Sequence, residues 1–129
     1  MLNDPLSNTM SAIMNAEKAG KPKLEVRPVS KLIKSVLELL QKSSYIGSYR
    51  EAADGRGGSI EIILSGTINK CGAVKPRSSI NKKNYELFEK RYLPAKDFGI
   101  LIISTPKGVL SHAEAKKLSL GGRLIAYCY

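Results

Sequence analysis

The chain has 129 residues, 43% of them hydrophobic, and its 21 lysine and arginine residues outnumber its 11 acidic residues for a formal net charge of +10. This composition is sufficient for a buried core in one domain or two small lobes, and no apolar run approaches the length of a membrane span. The basic balance is compatible with a nucleic-acid partner, an anionic membrane surface or a solvated face that binds nothing specific.

The N-terminal segment predicts a helix followed by a strand. Asp4 is a good N-cap, and Pro5 has a backbone angle that suits the first helical position. Gly20 is a typical residue for the C-terminal end of this helix. Residues 23–27 alternate between polar and apolar side chains, which is typical of a short strand.

The next elements are a helix and a β-hairpin. Ser30 is a suitable N-cap for a helix over residues 31–42, whose aliphatic side chains form a wide apolar stripe. Residues 45–50 and 59–64 predict two strands, and the glycine-rich residues 54–58 are typical of the turn between them. A phosphate-binding loop is not indicated here, because no helix pattern follows the turn and the Walker spacing is absent.

The second half of the chain is richer in strands. Residues 67–74 predict a strand interrupted at Gly72, and a basic, irregular, exposed segment follows at residues 75–79. Residues 81–92 are charged and ambiguous, and we expect one or two helical turns there. A final strand over residues 123–129 is apolar on both faces, which predicts a position inside a sheet or between lobes.

A short polar loop at residues 104–108 is the feature around which the second half is organised. It follows an apolar run at residues 99–103 that suits a buried strand, and it precedes Ser111, the first residue of a capping-box pattern for a helix that ends near Leu118. We therefore interpret the loop as a tight link between a strand and a helix. Its two hydroxyls, one cation and one glycine suit phosphate, sugar or base edges, and it contains no group for proton transfer.

Together these elements predict an α+β fold made of two closely packed small lobes. An N-terminal α+β lobe, with the order helix, strand, helix, strand, strand, covers residues 1–65, and a basic, mainly β lobe with a short helix covers residues 66–129. The first range has nine basic and seven acidic residues, whereas the second has twelve and four. This asymmetry favours a polyanion partner for the second lobe over a merely solvated face.

Residues for enzymatic or metal chemistry are few. His112 is the only histidine, and its position at a helix start favours local capping or exposure over catalysis. Ser104 lacks the flanking pattern of an activated nucleophile. Cys71 and Cys128 do not have zinc-site spacing, and we expect reduced thiols in a cytosolic protein. We therefore predict no enzymatic activity, no cofactor and no metal site.

Several short segments, spread along essentially the whole chain, form a recognisable series. They are residues 4–8 (DPLSN), 27–33 (RPVSKLI), 45–47 (YIG), 54–56 (DGR), 68–72 (INKCG), 75–77 (KPR), 90–95 (KRYLPA), 103–109 (ISTPKGV) and 121–127 (GGRLIAY). In number, order and spacing, these segments resemble the family of the eighth universal protein of the small ribosomal subunit. The resemblance is greatest to the archaeal branch of that family.

The resemblance implies two α+β lobes and a structural role as a primary rRNA-binding protein, which contacts a central-domain helix of the small-subunit rRNA and supports assembly. It implies a main contact through the loop of the second lobe, a nearby glycine turn, and phosphate contacts near the helix starts of the first lobe. The residues concerned are Ser104, Thr105, Pro106, Lys107, Gly108, Gly121, Gly122, Asp4, Pro5, Ser30 and Lys31. Beside the resemblance, charge alone predicts that Lys75, Arg77 and Arg123 join Lys107 in offsetting phosphates.

The expected partners are small-subunit rRNA and neighbouring ribosomal proteins, with no membrane partner and a location on the cytoplasmic ribosome. Because some bacterial members of the family repress their own operon messenger RNA, the protein's own message is a further partner that the resemblance implies. The alternative is a structured-RNA-binding or translational regulatory protein outside the ribosome.

Overall fold

A computed structural model describes residues 5–27, 30–52, 58–81, 83–95 and 98–129, and within these ranges it describes every side chain except those of Lys75 and Pro76. The chain divides into a first unit, Met1–Cys71, and a second unit, Gly72–Tyr129. The lobe boundary that the sequence predicted, after residue 65, comes earlier in the sequence than this division. Both units combine helices with antiparallel sheets, so the α+β class predicted from the sequence is confirmed.

The described part of the first unit has the predicted order of helix, strand, helix, strand, strand. Its elements are α1 (Pro5–Lys18), β1 (Lys23–Val26), α2 (Lys31–Lys42), β2 (Ile46–Ala52) and β3 (Ser59–Leu64). The strands form one sheet in the order β1-β3-β2, and the central strand β3 is antiparallel to both neighbours. The glycine-rich tip predicted between β2 and β3 lies outside the described residues except for Gly58.

Local signals determine where the helices of the first unit begin and end. The side chain of Ser30 accepts a hydrogen bond from the backbone N–H of Ile33, at 3.2 Å, and so caps α2 where the sequence predicts it. Gly20 follows α1 with a φ of 70°, a backbone conformation that glycine adopts without strain. Apolar stripes of both helices are buried, and they supply much of the core of this unit: Leu6, Met10, Ile13, Ile33, Val36, Leu37 and Leu40.

The second unit is built on a four-stranded sheet with the order β4-β7-β5-β6. Its elements are β4 (Cys71–Ile80), α3 (Tyr85–Tyr92), β5 (Ile100–Thr105), β6 (Gly108–Ser111), α4 (His112–Lys117) and β7 (Gly122–Cys128). The strand β7 lies between β4 and β5, which confirms the position inside a sheet that its two apolar faces predict. One face of the sheet packs with α3 and α4 around Leu101, Ile103 and Leu124.

For the second unit, one prediction is wrong in detail and the expectation of one or two helical turns is confirmed. The strand β4 continues through Ile80, although the sequence predicted an irregular segment after Val74. A proline is compatible with β4 because β4 is an edge strand, which has a neighbouring strand on one side only. The charged residues 81–92 were ambiguous, and they include the two turns of α3.

Candidate nucleic-acid interface

The polar loop is the tip of a β-hairpin rather than a direct link between a strand and a helix. In the antiparallel pairing of β5 with β6, Thr105 lies opposite Gly108, so Pro106 and Lys107 form a two-residue turn. The predicted strand–helix link is therefore wrong, because the four residues of β6 separate the turn from α4. The prediction of a capped helix is confirmed, since the Ser111 hydroxyl accepts a hydrogen bond from the backbone N–H of Glu114.

The backbone of this hairpin tip, residues 104–108, is strongly constrained. Pro106 has a fixed φ that suits the first central position of a turn, and Gly108 has a φ of 120°, which side-chain-bearing residues rarely adopt. Pro106, Lys107 and Gly108 are all exposed. The tip therefore presents the Lys107 ammonium to solvent from a backbone with little freedom.

The two hydroxyls of the tip have different environments. The Thr105 side chain is buried, and its Oγ1 donates to the carbonyl oxygen of Gly108 at 2.7 Å while it accepts from the backbone N–H of Lys107 at 3.2 Å. Ser104 is exposed on the opposite face of β5, because successive strand residues alternate. Within the described part of the chain its hydroxyl makes no hydrogen bond. Thr105 thus holds the turn together, and Ser104 is open to a ligand.

The glycine turn, Leu120 to Gly122, lies directly against the hairpin. A Cβ added to Gly122 would collide with the carbonyl oxygen of Ser104 and would lie 3.2 Å from the Cα of Thr105. A Cβ added to Gly121 would lie 2.8 Å from the carbonyl oxygen of Ile80. The end of β4, the end of β5 and the start of β7 can therefore meet only because this turn has no side chains at its two glycines.

A buried tyrosine anchors the glycine turn from the core side. Tyr85, which is 2% exposed, donates its hydroxyl to the carbonyl oxygen of Leu120 at 2.5 Å, and the Leu120 backbone N–H donates to the Ala115 carbonyl oxygen at 2.9 Å. Burial raises the pKa of the Tyr85 hydroxyl above its ordinary value of 10.0, so it stays protonated and donates at neutral pH. Sequence reasoning missed Tyr85, although a tyrosine on the apolar side of a helix commonly needs a partner for its hydroxyl.

Replacing Tyr85 with phenylalanine is expected to lower the stability of the second unit by about 1 kcal/mol, because the Leu120 carbonyl loses a partly buried partner. Thermal unfolding measures the change, and a domain of this size should lose roughly 4–8 °C in melting temperature. The matched control is Tyr49→Phe, because the Tyr49 hydroxyl makes no hydrogen bond to any described residue. Equal melting temperatures for the two variants would contradict the anchoring role.

The sheet places a cation beside the free hydroxyl of Ser104. Arg123 lies opposite Ser104 in the pairing of β5 with β7, and directly opposed residues share one face of a sheet. Arg77 is exposed near the Ile80 end of β4. Among the residues that the structure describes, Lys107, Arg123 and Arg77 have no ion-pair partner. Their charges therefore remain available to an anionic ligand.

The remaining predicted contact residues are distributed differently. Asp4 and the side chain of Lys75 lie outside the description, and Pro5 is the exposed first residue of α1. The Ser30 hydroxyl is occupied by its capping bond, and the neighbouring Lys31 is exposed without an ion pair to a described residue. In the first unit, Lys31 is thus the predicted contact whose charged group is available.

The position of His112 predicted local capping or exposure, and the exposure is wrong. It is 5% exposed, its Nδ1 accepts from the Leu101 backbone N–H at 3.1 Å, and its Nε2 lies 3.2 Å from a Glu89 carboxylate oxygen. The same oxygen lies 2.6 Å from the Lys116 ammonium. Because the ring completes the packing of α4 against β5 and α3, this arrangement is structural.

The described residues show neither a cluster of metal-ligating side chains nor a membrane-spanning helix. Across the described ranges, histidine, cysteine and acidic side chains do not gather in groups of three or more that could hold a metal ion. In the same ranges, every helix is too short or too polar to cross a membrane.

The chain matches a known protein family over almost its full length. The match is to the model of ribosomal protein S8, and it covers residues 4–129. It includes the hairpin tip and the glycine turn of the second unit and the helix starts of the first unit. The members of this family are structural proteins of the ribosome rather than enzymes. The chain therefore belongs to the ribosomal protein S8 family and is a small-subunit ribosomal protein that binds rRNA.

Proposed function

We propose that the second unit is the main rRNA-binding site of this protein and that it contacts an irregular central-domain helix of the small-subunit rRNA during assembly. The observation that carries the proposal is the junction of Ser104, Gly122 and Arg123. There, the free hydroxyl of Ser104 and the free cation of Arg123 share one face of the sheet, and Gly122 lets the two strands approach closely. The hydroxyl and the cation are the kinds of group that sugar, base and phosphate contacts require.

The chemistry of the junction fits structured RNA. Regular double-helical RNA has a deep, narrow major groove that side chains cannot read, whereas bulges and distorted helices expose base edges for sequence-specific contacts. The Ser104 hydroxyl both donates and accepts, so it suits either a base edge or a 2′-hydroxyl. Lys107 and Arg123 would offset phosphate charges on the same strand. Gly122 would act indirectly, because its missing side chain lets β7 bring Arg123 close to Ser104.

The rigidity of the hairpin tip supports tight binding. Thr105 makes two hydrogen bonds within the tip, and Pro106 and Gly108 restrict its backbone. A surface that is already ordered loses little conformational entropy when it binds. We therefore assign Thr105 a positioning role and assign direct contacts to Ser104 and Lys107.

The first unit would add contacts of lower energy. Pro5 and Ser30 mark the starts of α1 and α2, where unpaired backbone N–H groups favour an anion, and Lys31 adds an exposed charge. Asp4 and Lys75 belong to the same proposal on the basis of their positions in the sequence. The concentration of positive charge in the second half of the chain favours that half as the main site.

The finer assignments rest on the sequence segments. Because the resemblance along the whole chain is greatest to the archaeal branch, we infer an archaeal-type member of the family. A messenger RNA that carries a helix of the same shape, the protein's own message included, would compete for the same surface. Neighbouring proteins of the small subunit complete the set of partners, on ribosomes of the cytoplasm.

Removing one charge and one hydroxyl tests the proposed site. Lys107→Ala should reduce the slope of log affinity against log salt by about one unit, because one phosphate contact is lost. Ser104→Ala should leave that slope unchanged and weaken binding by about 1–3 kcal/mol, with poorer discrimination between cognate and bulge-altered RNA. Binding is measured with fragments of purified small-subunit rRNA across a range of salt concentrations.

The matched control is Lys21→Ala, which removes an exposed cation of the first unit that has no described ion pair. It should change neither the slope nor the discrimination. If Lys107→Ala and Ser104→Ala also behave like the parent protein, the hairpin tip is not the binding site.

A further inference from the structure

An open groove lies on the far side of the glycine turn from the hairpin tip. It has a volume of about 440 Å³ and is lined by Asn81, Lys83, Ser119 and Gly121. Gly121 forms one wall, since a Cβ at this position would lie 3.3 Å from the Cα of Asn81. Because Gly122 touches Ser104 in the same way, the groove and the hairpin tip lie on either side of the start of β7, at the same end of the sheet.

The side chains of the groove offer hydrogen-bond donors and one cation. Asn81 uses its Oδ1 to accept from the Lys83 backbone N–H at 2.9 Å, and its own N–H donates to Asn84 Oδ1 at 2.7 Å. The Asn81 amide nitrogen and the Lys83 ammonium make no hydrogen bond or ion pair to a described residue. The described lining contains no carboxylate and no bulky apolar side chain. Such a surface fits an anion with several acceptor oxygens.

One lining residue of the groove, Ser119, is held in an uncommon backbone conformation. Ser119 has a φ of 56°, and its N–H donates to the Lys116 carbonyl oxygen at 3.1 Å, while the next residue, Leu120, is held by Ala115 and Tyr85. A serine in this conformation carries some strain that a glycine would avoid. The strained serine places an exposed hydroxyl at the groove, in a backbone that is already ordered.

We propose that this groove binds the sugar–phosphate backbone of the same rRNA, where the strand continues past the glycine turn from the hairpin tip. Lys83 and the Asn81 amide donate to phosphate oxygens, and Ser119 donates to a phosphate or pairs with a ribose hydroxyl. The proposal rests on the proposed function, because it is the rRNA at the hairpin tip that would bring a phosphate strand to the groove. It extends the proposed RNA interface from the hairpin tip to the groove. It also adds Asn81, Lys83 and Ser119, which the sequence did not indicate as RNA contacts.

Three substitutions test the groove without removing its supporting hydrogen bonds. Lys83→Ala removes the charge. Asn81→Asp keeps an oxygen for the Lys83 N–H and replaces the amide donor with a negative charge. Ser119→Gly removes the hydroxyl and suits a φ of 56°. Melting temperatures establish that each variant is folded, and RNA affinity is measured at several salt concentrations.

We expect Lys83→Ala to weaken RNA binding roughly fivefold near 0.15 M salt and to lower the salt slope by about one unit, as the loss of one phosphate contact does. Asn81→Asp should weaken binding further, and Ser119→Gly should weaken it without changing the slope. Hydroxyl-radical footprints should lose protection at riboses different from those affected by Lys107→Ala. The Lys21→Ala protein is again the control.

The outcomes separate this inference from the proposed function. If the three groove variants bind like the parent while Lys107→Ala and Ser104→Ala bind weakly, the groove proposal is overturned and the hairpin site stands. If all five variants bind like the parent, both proposals are overturned. Normal RNA affinity combined with weaker binding of polyglutamate by Lys83→Ala would assign the groove to an acidic protein segment, which also overturns the RNA proposal.

Discussion

Replacing Gly122 with alanine is expected to destabilise the second unit by about 1–3 kcal/mol or more and to weaken RNA binding at the same time. The new methyl group would collide with the Ser104 carbonyl oxygen and approach Thr105, and both contacts are with backbone atoms. Backbone cannot rotate away as a flexible side chain does, so β7 would have to move from β5. That movement separates Arg123 from Ser104, the two groups on which the proposed contact depends.

The control for this variant is Gly20→Ala in the first unit. Gly20 also has a positive φ, but a Cβ there would have no neighbour within 4 Å. Its substitution should cost about 1 kcal/mol through backbone strain alone and should leave RNA affinity unchanged. Urea unfolding and RNA binding are measured for both proteins. If Gly122→Ala has the same free energy of unfolding and the same RNA affinity as Gly20→Ala, the close approach of Gly122 to the Ser104 carbonyl has no energetic consequence.

The elements that the sequence predicted well are those determined by their own residues. The limits of α2 agree with the structure because Ser30 supplies a local cap and the apolar stripe has a helical period. The strand over residues 59–64 also agrees, since its branched apolar residues favour a strand and the glycine-rich residues before it are typical of a turn. In such cases the local preferences and the tertiary packing favour the same structure.

The elements that were missed depend on partners distant in the sequence. The strand β6 has only four residues, which is too few to show a periodic pattern of apolar side chains. It forms a strand because its backbone pairs with β5. His112 is buried because Leu101 and Glu89 surround it, and neither is near it in sequence. These contacts form only when the chain folds, so rules based on periodicity and capping cannot predict them.

The same distinction applies to the candidate site. The hairpin tip and the glycine turn were found because their residues form continuous motifs that resemble those of a known family. Asn81 and Ser119 lie far apart in the chain and line one groove only after folding. The sequence also could not distinguish the roles of the adjacent Ser104 and Thr105 hydroxyls. They differ only in the face of β5 that each occupies.

Replacing His112 with alanine is expected to cause a stability loss in the second unit of about 3 kcal/mol. The pairing of β5 with β6 ends at Ile102 opposite Ser111, and the N–H of the buried Leu101 donates its hydrogen bond to Nδ1 of the His112 ring instead. Removing that acceptor leaves a buried donor unpaired, at a cost of about 1–3 kcal/mol, and the lost ring leaves a cavity that adds to it. Since Nδ1 accepts, the ring proton is on Nε2 and faces Glu89.

Two further variants assign this loss to the Leu101 hydrogen bond. His112→Asn retains an oxygen near the position of Nδ1 and should recover part of the stability. Lys116→Ala removes the other partner of Glu89, but the Lys116 side chain is 44% exposed, so its loss should cost at most about 1 kcal/mol. Urea unfolding gives the three free energies. The order His112→Ala, then His112→Asn, then Lys116→Ala, from least to most stable, is expected because the buried backbone donor outweighs the exposed ion pair. Equal losses for His112→Ala and His112→Asn would mean that ring packing, and not the hydrogen bond to Leu101, determines the effect.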